Sequence, residues 1–235
     1  MSQLPVLMYH NVSDGTAKSK GLTISKEKLE EQFRYLSDNH YATFHLSELE
    51  SKSDLPERSV VITFDDVTEN QLLFAVPLLE QYNLKAVFFI PFSYIGKTDQ
   101  WNKGSEKIMD MEQLLSINPD VVEFGYHSYL HRRYSELTDA EIEEDFNNCN
   151  ALILESGLAV YPAVAYPYGN YPKKEPAKTH FKEQLQKHGM KMGLRIGNKV
   201  NSFPFKDSFE INRIDVKGQW NLFKFKIRLK FGKLF

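Results

Sequence analysis

Val60-Val61-Ile62-Thr63-Phe64-Asp65-Asp66 is a run of β-formers that ends in two adjacent carboxylates. Its apolar residues do not alternate with polar ones, which describes a strand covered on both faces, as in a parallel sheet. In parallel barrels the C-terminal ends of the strands carry the active site. One Asp at such an end serves as the N-cap of the next helix. Two in a row repel each other unless a cation or solvent relieves them. Neighbours in extended chain point to opposite sides, so Asp65 and Asp66 are expected to have separate roles.

The same texture recurs along the chain. Val6–Tyr9, Ala42–Phe44, Ala86–Ile90, Val121–Tyr126, Ala163–Tyr166, Gly193–Ile196 and Ile211–Val216 read as further strands. Amphipathic segments lie between them. Lys26–Asn39 follows the candidate N-cap Ser25, and Glu69–Tyr82 follows the carboxylate pair. Asp139–Glu155 starts behind Thr138, with Glu141 completing a capping box and Gly157 ending the helix; Phe181–His188 ends at Gly189. Alternating strands and helices predict an α/β fold, a distorted (β/α)7-8 barrel.

Composition sets the outer limits. A chain of 235 residues with 42% hydrophobic residues, 17 Phe and 12 Tyr fits one domain over 1–235, with 217–235 a basic and apolar C-terminal segment. A net charge of -2 gives no reason to expect a nucleic-acid partner. The single cysteine, Cys149, falls in an amphipathic helix and is expected to be an inert core residue. Val6–Tyr9 is too short for a signal-peptide core, and no apolar stretch approaches the ~20 residues of a membrane span. The expectation is a cytoplasmic protein, with peripheral membrane contact through its C-terminal segment. There, Phe223–Phe231 alternates apolar and basic residues and reads as a strand. It would be either an edge strand blunted by lysines or a basic face for anionic lipid or a phosphate-bearing ligand.

Chemistry gathers at the strand ends. His127 and His131, in His127-Ser128-Tyr129-Leu130-His131, follow Val121–Tyr126 at a spacing that on a helical turn places both imidazoles on one face, suited to a metal. His10 ends the first strand; alone it reads as structural, but on a shared rim it becomes a proton donor with a suitable pKa. Tyr166-Pro167-Tyr168-Gly169 ends another strand. Pro167 and Gly169 fix a tight turn, and if it faces the rim the Tyr168 N–H can stabilise an oxyanion while its ring lines a sugar. His40, His45, His180 and His188 read as surface residues.

Together these motifs resemble the polysaccharide deacetylase family, also called the NodB homology domain or carbohydrate esterase family 4. Thr63-Phe64-Asp65-Asp66 is similar to its first motif, His127–His131 to its second and Tyr166–Gly169 to its third. The resemblance implies a distorted barrel and removal of acetyl groups, N-linked or in some members O-linked, from acetylated sugars. It implies that Asp66, His127 and His131 bind Zn²⁺ or another divalent metal such as Co²⁺ or Ni²⁺, and that Asp65 is the general base. The late Leu-x-His motif of common members is absent, since no His follows His188. The opening Val6–His10 resembles instead the permuted branch containing poly-N-acetylglucosamine deacetylases, which gives His10 the role of general acid. Two positions depart from the pattern. Val67 stands where Gly is usual, which fits if its φ is negative. Ala165 stands where an Arg often orients the base, and Arg213 is the candidate substitute.

The expected partner is an acetylated glycan or glycan intermediate. The alternatives are a non-catalytic glycan-binding module on the same scaffold, favoured by Val67 and the missing Arg, and a phosphoesterase. The phosphoesterase ranks last, because such enzymes often use two metals and more clustered carboxylates.

Overall fold

The computed structural model describes residues 1–15 and 17–233, so the last two residues of the 217–235 segment lie outside it. Seven strands form its centre: β1 (Val6–Tyr9), β2 (Ser59–Asp65), β3 (Ala86–Ile90), β4 (Val122–Tyr126), β5 (Val160–Ala165), β6 (Met192–Ile196) and β7 (Ile211–Asp215). Each pairs in parallel with the next, and β7 returns to pair with β1, closing a barrel. The eighth expected strand is reduced to Ala42–Thr43, which pairs in parallel with Ser59 and Val60 at the start of β2. A register jump between β4 and β5 near Phe124 and Tyr126 distorts the ring.

Closure accounts for the apolar strands. One buried cluster fills the barrel interior with alternate residues such as Val6, Val61, Val87, Phe89, Leu194 and Ile211. The intervening residues, among them Leu7, Ile62, Phe64, Phe88 and Ile214, belong to a second cluster under the helices. Each strand therefore has two dry faces, and a slip of one residue would exchange them.

The helices are α1 (Lys26–Asp38), α2 (Val76–Gln81), α3 (Met111–Ser116), α4 (Asp139–Ser156), α5 (Ala177–Lys187) and α6 (Leu222–Phe231). A π-helical turn, Gln71–Ala75, leads into α2. Cys149 is fully buried in α4, and burial pushes its thiol well up, as an inert core residue requires. Ser25 precedes α1 but makes no side-chain cap bond. His45 is not on the surface as expected: it is buried, caps a short helical turn, and places Nε2 3.2 Å from the Val121 carbonyl oxygen.

The expected C-terminal strand is instead the helix α6. Strict alternation of Phe223–Phe231 also places Phe225 and Leu229 four apart, and these are the buried residues of the helix. Asn221 caps it, accepting from the Lys224 N–H at 2.9 Å. Lys, Arg and Leu favour helix, and a closed ring offers no slot for another strand.

Thr138 caps α4 as its sequence predicts: its Oγ1 accepts from the Glu141 N–H at 3.3 Å, and Glu141 accepts from the Thr138 N–H at 2.8 Å. The Glu141 carboxyl is lowered to about 2 by the Thr138 N–H, then the Thr138 hydroxyl and Arg132. A carboxyl lowered by folding stabilises above its unfolded pKa of ~4.3 and loses that contribution as pH falls through its folded value. Thr138→Ala is expected to cost about 1 kcal/mol near neutral pH in urea unfolding. Its deficit relative to wild type narrows as the pH falls from ~4.3 to about 2.

Candidate active site

Parallel closure turns the C-terminal ends of all seven strands to one rim. There β1 ends at His10, β2 at Asp65-Asp66, β4 at His127 and β5 at Tyr166-Pro167-Tyr168. Asp65 is buried inside the barrel. Arg213, on β7 and fully buried, grips it with two hydrogen bonds, Nη1 to Oδ1 at 2.5 Å and Nη2 to Oδ2 at 2.8 Å. The same Nη1 lies 3.3 Å from Thr63 Oγ1, and the guanidinium packs over Phe89. Burial alone would raise the Asp65 pKa; Arg213 leads the charges that reverse this and hold it far below the carboxylate range.

Asp66 leaves the strand with φ 78, so it is not extended, and the expectation of opposite-facing carboxylates fails in its reasoning. The separation survives by other means: Asp65 turns inward to Arg213 and Asp66 lies at the rim. Asp66 Oδ1 is 3.6 Å from His127 Nε2 and 3.5 Å from His131 Nε2. Val67 follows at φ 44, not the negative φ that a β-branched residue prefers. Such strain costs on the order of 1–3 kcal/mol and persists where surroundings enforce it. The enforcing contacts are full burial of Val67 and a bond from the Met109 N–H to its carbonyl at 2.9 Å.

His127 and His131 do not share a helical turn. The segment between them is a loop, with Ser128 at φ 68 and His131 at φ 52. Asp145 of α4 shapes it, accepting from Ser128 Oγ at 2.7 Å, the Tyr129 N–H at 2.8 Å and Tyr134 Oη at 3.0 Å. His127 places Nδ1 2.7 Å from the Ala165 carbonyl oxygen, so Nδ1–H donates there and Nε2 keeps its lone pair towards Asp66. Burial lowers the His127 pKa to about 4 against the pull of the carboxylates, which leaves the imidazole neutral at neutral pH. The positive charge beside Asp65 is then that of Arg213.

One oxygen of Asp66 and one nitrogen each of His127 and His131 lie within 4.8 Å of one another, a group that could hold a metal ion. The donors fit one. A carboxylate with two imidazoles is a transition-metal set, and Asp66 Oδ1 is buried without a hydrogen-bond partner among the described residues. His10 completes the cluster, with Nε2 3.7 Å from Asp65 Oδ2.

Several neighbours carry no local sequence signal. Gln71, in the π-helical turn, donates from Nε2 to the carbonyls of His10 at 3.1 Å and Asp65 at 2.6 Å, tying the ends of β1 and β2 together. Trp101 stacks on His131 with ring centroids 4.4 Å apart. Tyr168 meets the same ring edge-on at 4.8 Å, and the Arg133 guanidinium lies over Tyr168 at 4.4 Å. Pro167 is buried, and Gly169 needs its missing side chain: at φ +61, a Cβ would lie 2.8 Å from Ile196. A cavity of about 340 Å³ opens over the cluster, lined by His10, Asp66, Trp101, His127, His131 and Tyr168 among others.

The closed parallel barrel, with a carboxylate–imidazole cluster on its rim, is a NodB-like fold. The chain belongs to the polysaccharide deacetylase family, whose model matches residues 52–193. A Bacillus subtilis protein, YxkH, is 27% identical over 197 residues, which cover 82% of this chain and 64% of that protein. The chain thus spans just under two thirds of that relative's length. The poly-β-1,6-N-acetyl-D-glucosamine N-deacetylase of Staphylococcus aureus is 25% identical over 207 residues, 83% of this chain and 68% of that one. The solved Streptococcus pyogenes deacetylase PplD, in complex with acetate, shares the fold, with a TM-score of 0.77 at 18% identity over 97% of this chain and 98% of that one.

The Arg213–Asp65 pair is fully desolvated, so removing one partner strands a buried charge. Arg213→Met is expected to lower stability in urea unfolding at neutral pH by roughly 3–5 kcal/mol. The double variant Arg213→Met/Asp65→Asn should lose less than the two single variants together.

Proposed function

We propose that the protein is a metal-dependent hydrolase that removes N-acetyl groups from a polymer or oligomer of N-acetylated sugars. The observation that carries this reading is the meeting, on one rim, of a three-ligand cluster, a separate ionised carboxylate and a histidine beside it. Asp66, His127 and His131 would hold the metal, a divalent ion such as Zn²⁺, Co²⁺ or Ni²⁺. Such an ion, when bound, supplies Lewis acidity and makes water a nucleophile near neutral pH.

The remaining work falls to the chain's own side chains. Asp65, kept ionised by Arg213, is always in the accepting state and takes the proton of the attacking water. Arg213 fixes the direction of its oxygens. His10, near Asp65 at the cavity wall, protonates the departing amine, which would otherwise leave as a strongly basic anion. The Tyr168 N–H is assigned to the developing oxyanion, in the turn that Pro167 sets. The aromatic faces of Trp101 and Tyr168 line the path for a sugar ring. Arg213 speaks against a non-catalytic module, because it supplies the guanidinium contact that Ala165 cannot.

The test is acetate release from β-1,6-linked N-acetylglucosamine oligomers, alongside metal analysis of the purified protein. Asp65→Asn is expected to lower kcat by about 10²–10⁴-fold while retaining metal. A variant that turns over at the wild-type rate would remove Asp65 from its role. The double variant His127→Ala/His131→Ala should lose both bound metal and activity. Chelation of wild type should abolish acetate release and added Zn²⁺ or Co²⁺ restore it; activity unaffected by chelation contradicts metal dependence.

A further inference from the structure

The helix α6 buries one face and, among the described residues, leaves the other exposed. Phe225 and Leu229 point inward, with Phe225 edge-on to Tyr35 of α1. On the outer face Phe223, Ile227 and Phe231 stand at i, i+4 and i+8, one row along the helix. Phe223 is 71% exposed and Phe231 54%. Lys224, Lys226, Arg228 and Lys230 flank that row, and the helix contains no acidic residue. Residues 217–235 carry six Lys and Arg and no Asp or Glu, in a chain whose net charge is -2. The positive charge is therefore concentrated in this segment against an otherwise acidic molecule.

An exposed apolar row bordered by cations is the pattern of a helix lying in a membrane interface. We propose that the outer face of α6 docks the protein on an anionic lipid bilayer, with Phe223, Ile227 and Phe231 entering the headgroup–acyl boundary and the flanking lysines meeting lipid phosphates. A second copy fits less well, because a two-fold contact would set this cationic row against itself. A soluble polyanion would satisfy the lysines but gives the two exposed phenylalanines nothing to bury against. No helix among the described residues is long and apolar enough to cross a membrane, so the contact is peripheral.

The Lys233 N–H donates to the Asn198 carbonyl at 2.6 Å, and Asn198 Oδ1 accepts from the Asp215 N–H at 3.0 Å. Asp215 lines the cavity over the cluster, as does Leu22, which is 45% exposed. The C-terminal end of α6 is thus tied to the cavity rim. Membrane binding itself does not depend on the deacetylase reading.

The experiment is sedimentation of the full chain with phosphatidylcholine vesicles, with and without about a third phosphatidylglycerol. Wild type should bind the anionic vesicles, bind neutral ones far more weakly, and dissociate as NaCl is raised from 0.1 to 0.5 M. Lys224→Gln/Lys230→Gln/Lys233→Gln should weaken partitioning about 100-fold, at roughly fivefold per lysine. Phe223→Ser/Phe231→Ser should weaken it at least tenfold. All five positions are exposed, so both variants should melt at the wild-type temperature, and a matched melting curve makes their binding interpretable. No binding of wild type to anionic vesicles overturns the proposal, as does equal binding by both variants. Tight binding of soluble polyphosphate that the phenylalanine variant leaves unchanged would identify a polyanion site instead. A dimer in sedimentation velocity that this variant abolishes would identify a second copy; either result overturns the bilayer.

Discussion

A buried ion pair anchors the site. Arg213 and Asp65 lie 148 residues apart in sequence and meet only because β7 and β2 both flank β1 in the closed ring. A guanidinium in the dry interior of a barrel is tolerable when its charge is matched, and the two-pronged contact with Asp65 matches it. The pairing in turn fixes the orientation of Asp65 and keeps it ionised against burial. Because Asp65 is held by Arg213, Asp66 is the carboxylate that approaches both imidazoles, within 3.6 Å of His127 Nε2 and 3.5 Å of His131 Nε2, while Asp65 Oδ2 stands 3.8 Å from His127 Nε2. The geometry of the rim follows from the neutralised interior beneath it.

A second level of support surrounds the cluster. Asp145 holds the loop between the two histidines, Gln71 ties the ends of β1 and β2, and Ala165 fixes the His127 tautomer through its carbonyl. Backbone at positive φ gathers here: Asp66, Val67, Ser128, His131 and Tyr168 all adopt it. None of these five is glycine, and strain of this kind clusters where a site must hold a particular arrangement. The local conformations are uncomfortable, and the barrel packing around them makes them persist.

Much of this was legible in the residues. Strands buried on both faces stand out as unbroken apolar runs, so β1–β7 and the sites at their ends could be located, and Asp65, Asp66, His10, His127 and His131 converge as their positions imply. Arg213 could be singled out because Ala165 stands where the resembled family often carries an Arg, which left Arg213 as the candidate substitute. What could not be read depends on distant contacts. Trp101 reaches His131 from the segment between β3 and α3, and Asp145 acts from the middle of an amphipathic helix; neither leaves a local mark. The loop conformation of Ser128–His131 and the sign of φ at Val67 are set by Asp145 and Met109, not by their own spacing. The pattern of Phe223–Phe231 satisfies both a two-residue and a four-residue period, and only the closed ring decides for the helix.

The proposed function requires one carboxylate and two imidazoles on this rim to hold a single divalent ion. Anomalous X-ray scattering from crystals of the zinc-loaded protein, recorded across the zinc absorption edge, tests it most directly. One strong peak is expected, bonded at ~2.0–2.2 Å to an Asp66 oxygen and to a ring nitrogen of each of His127 and His131, with Asp65 outside the coordination sphere. A peak bound elsewhere, or an ordered rim with no peak at saturating zinc, would contradict it.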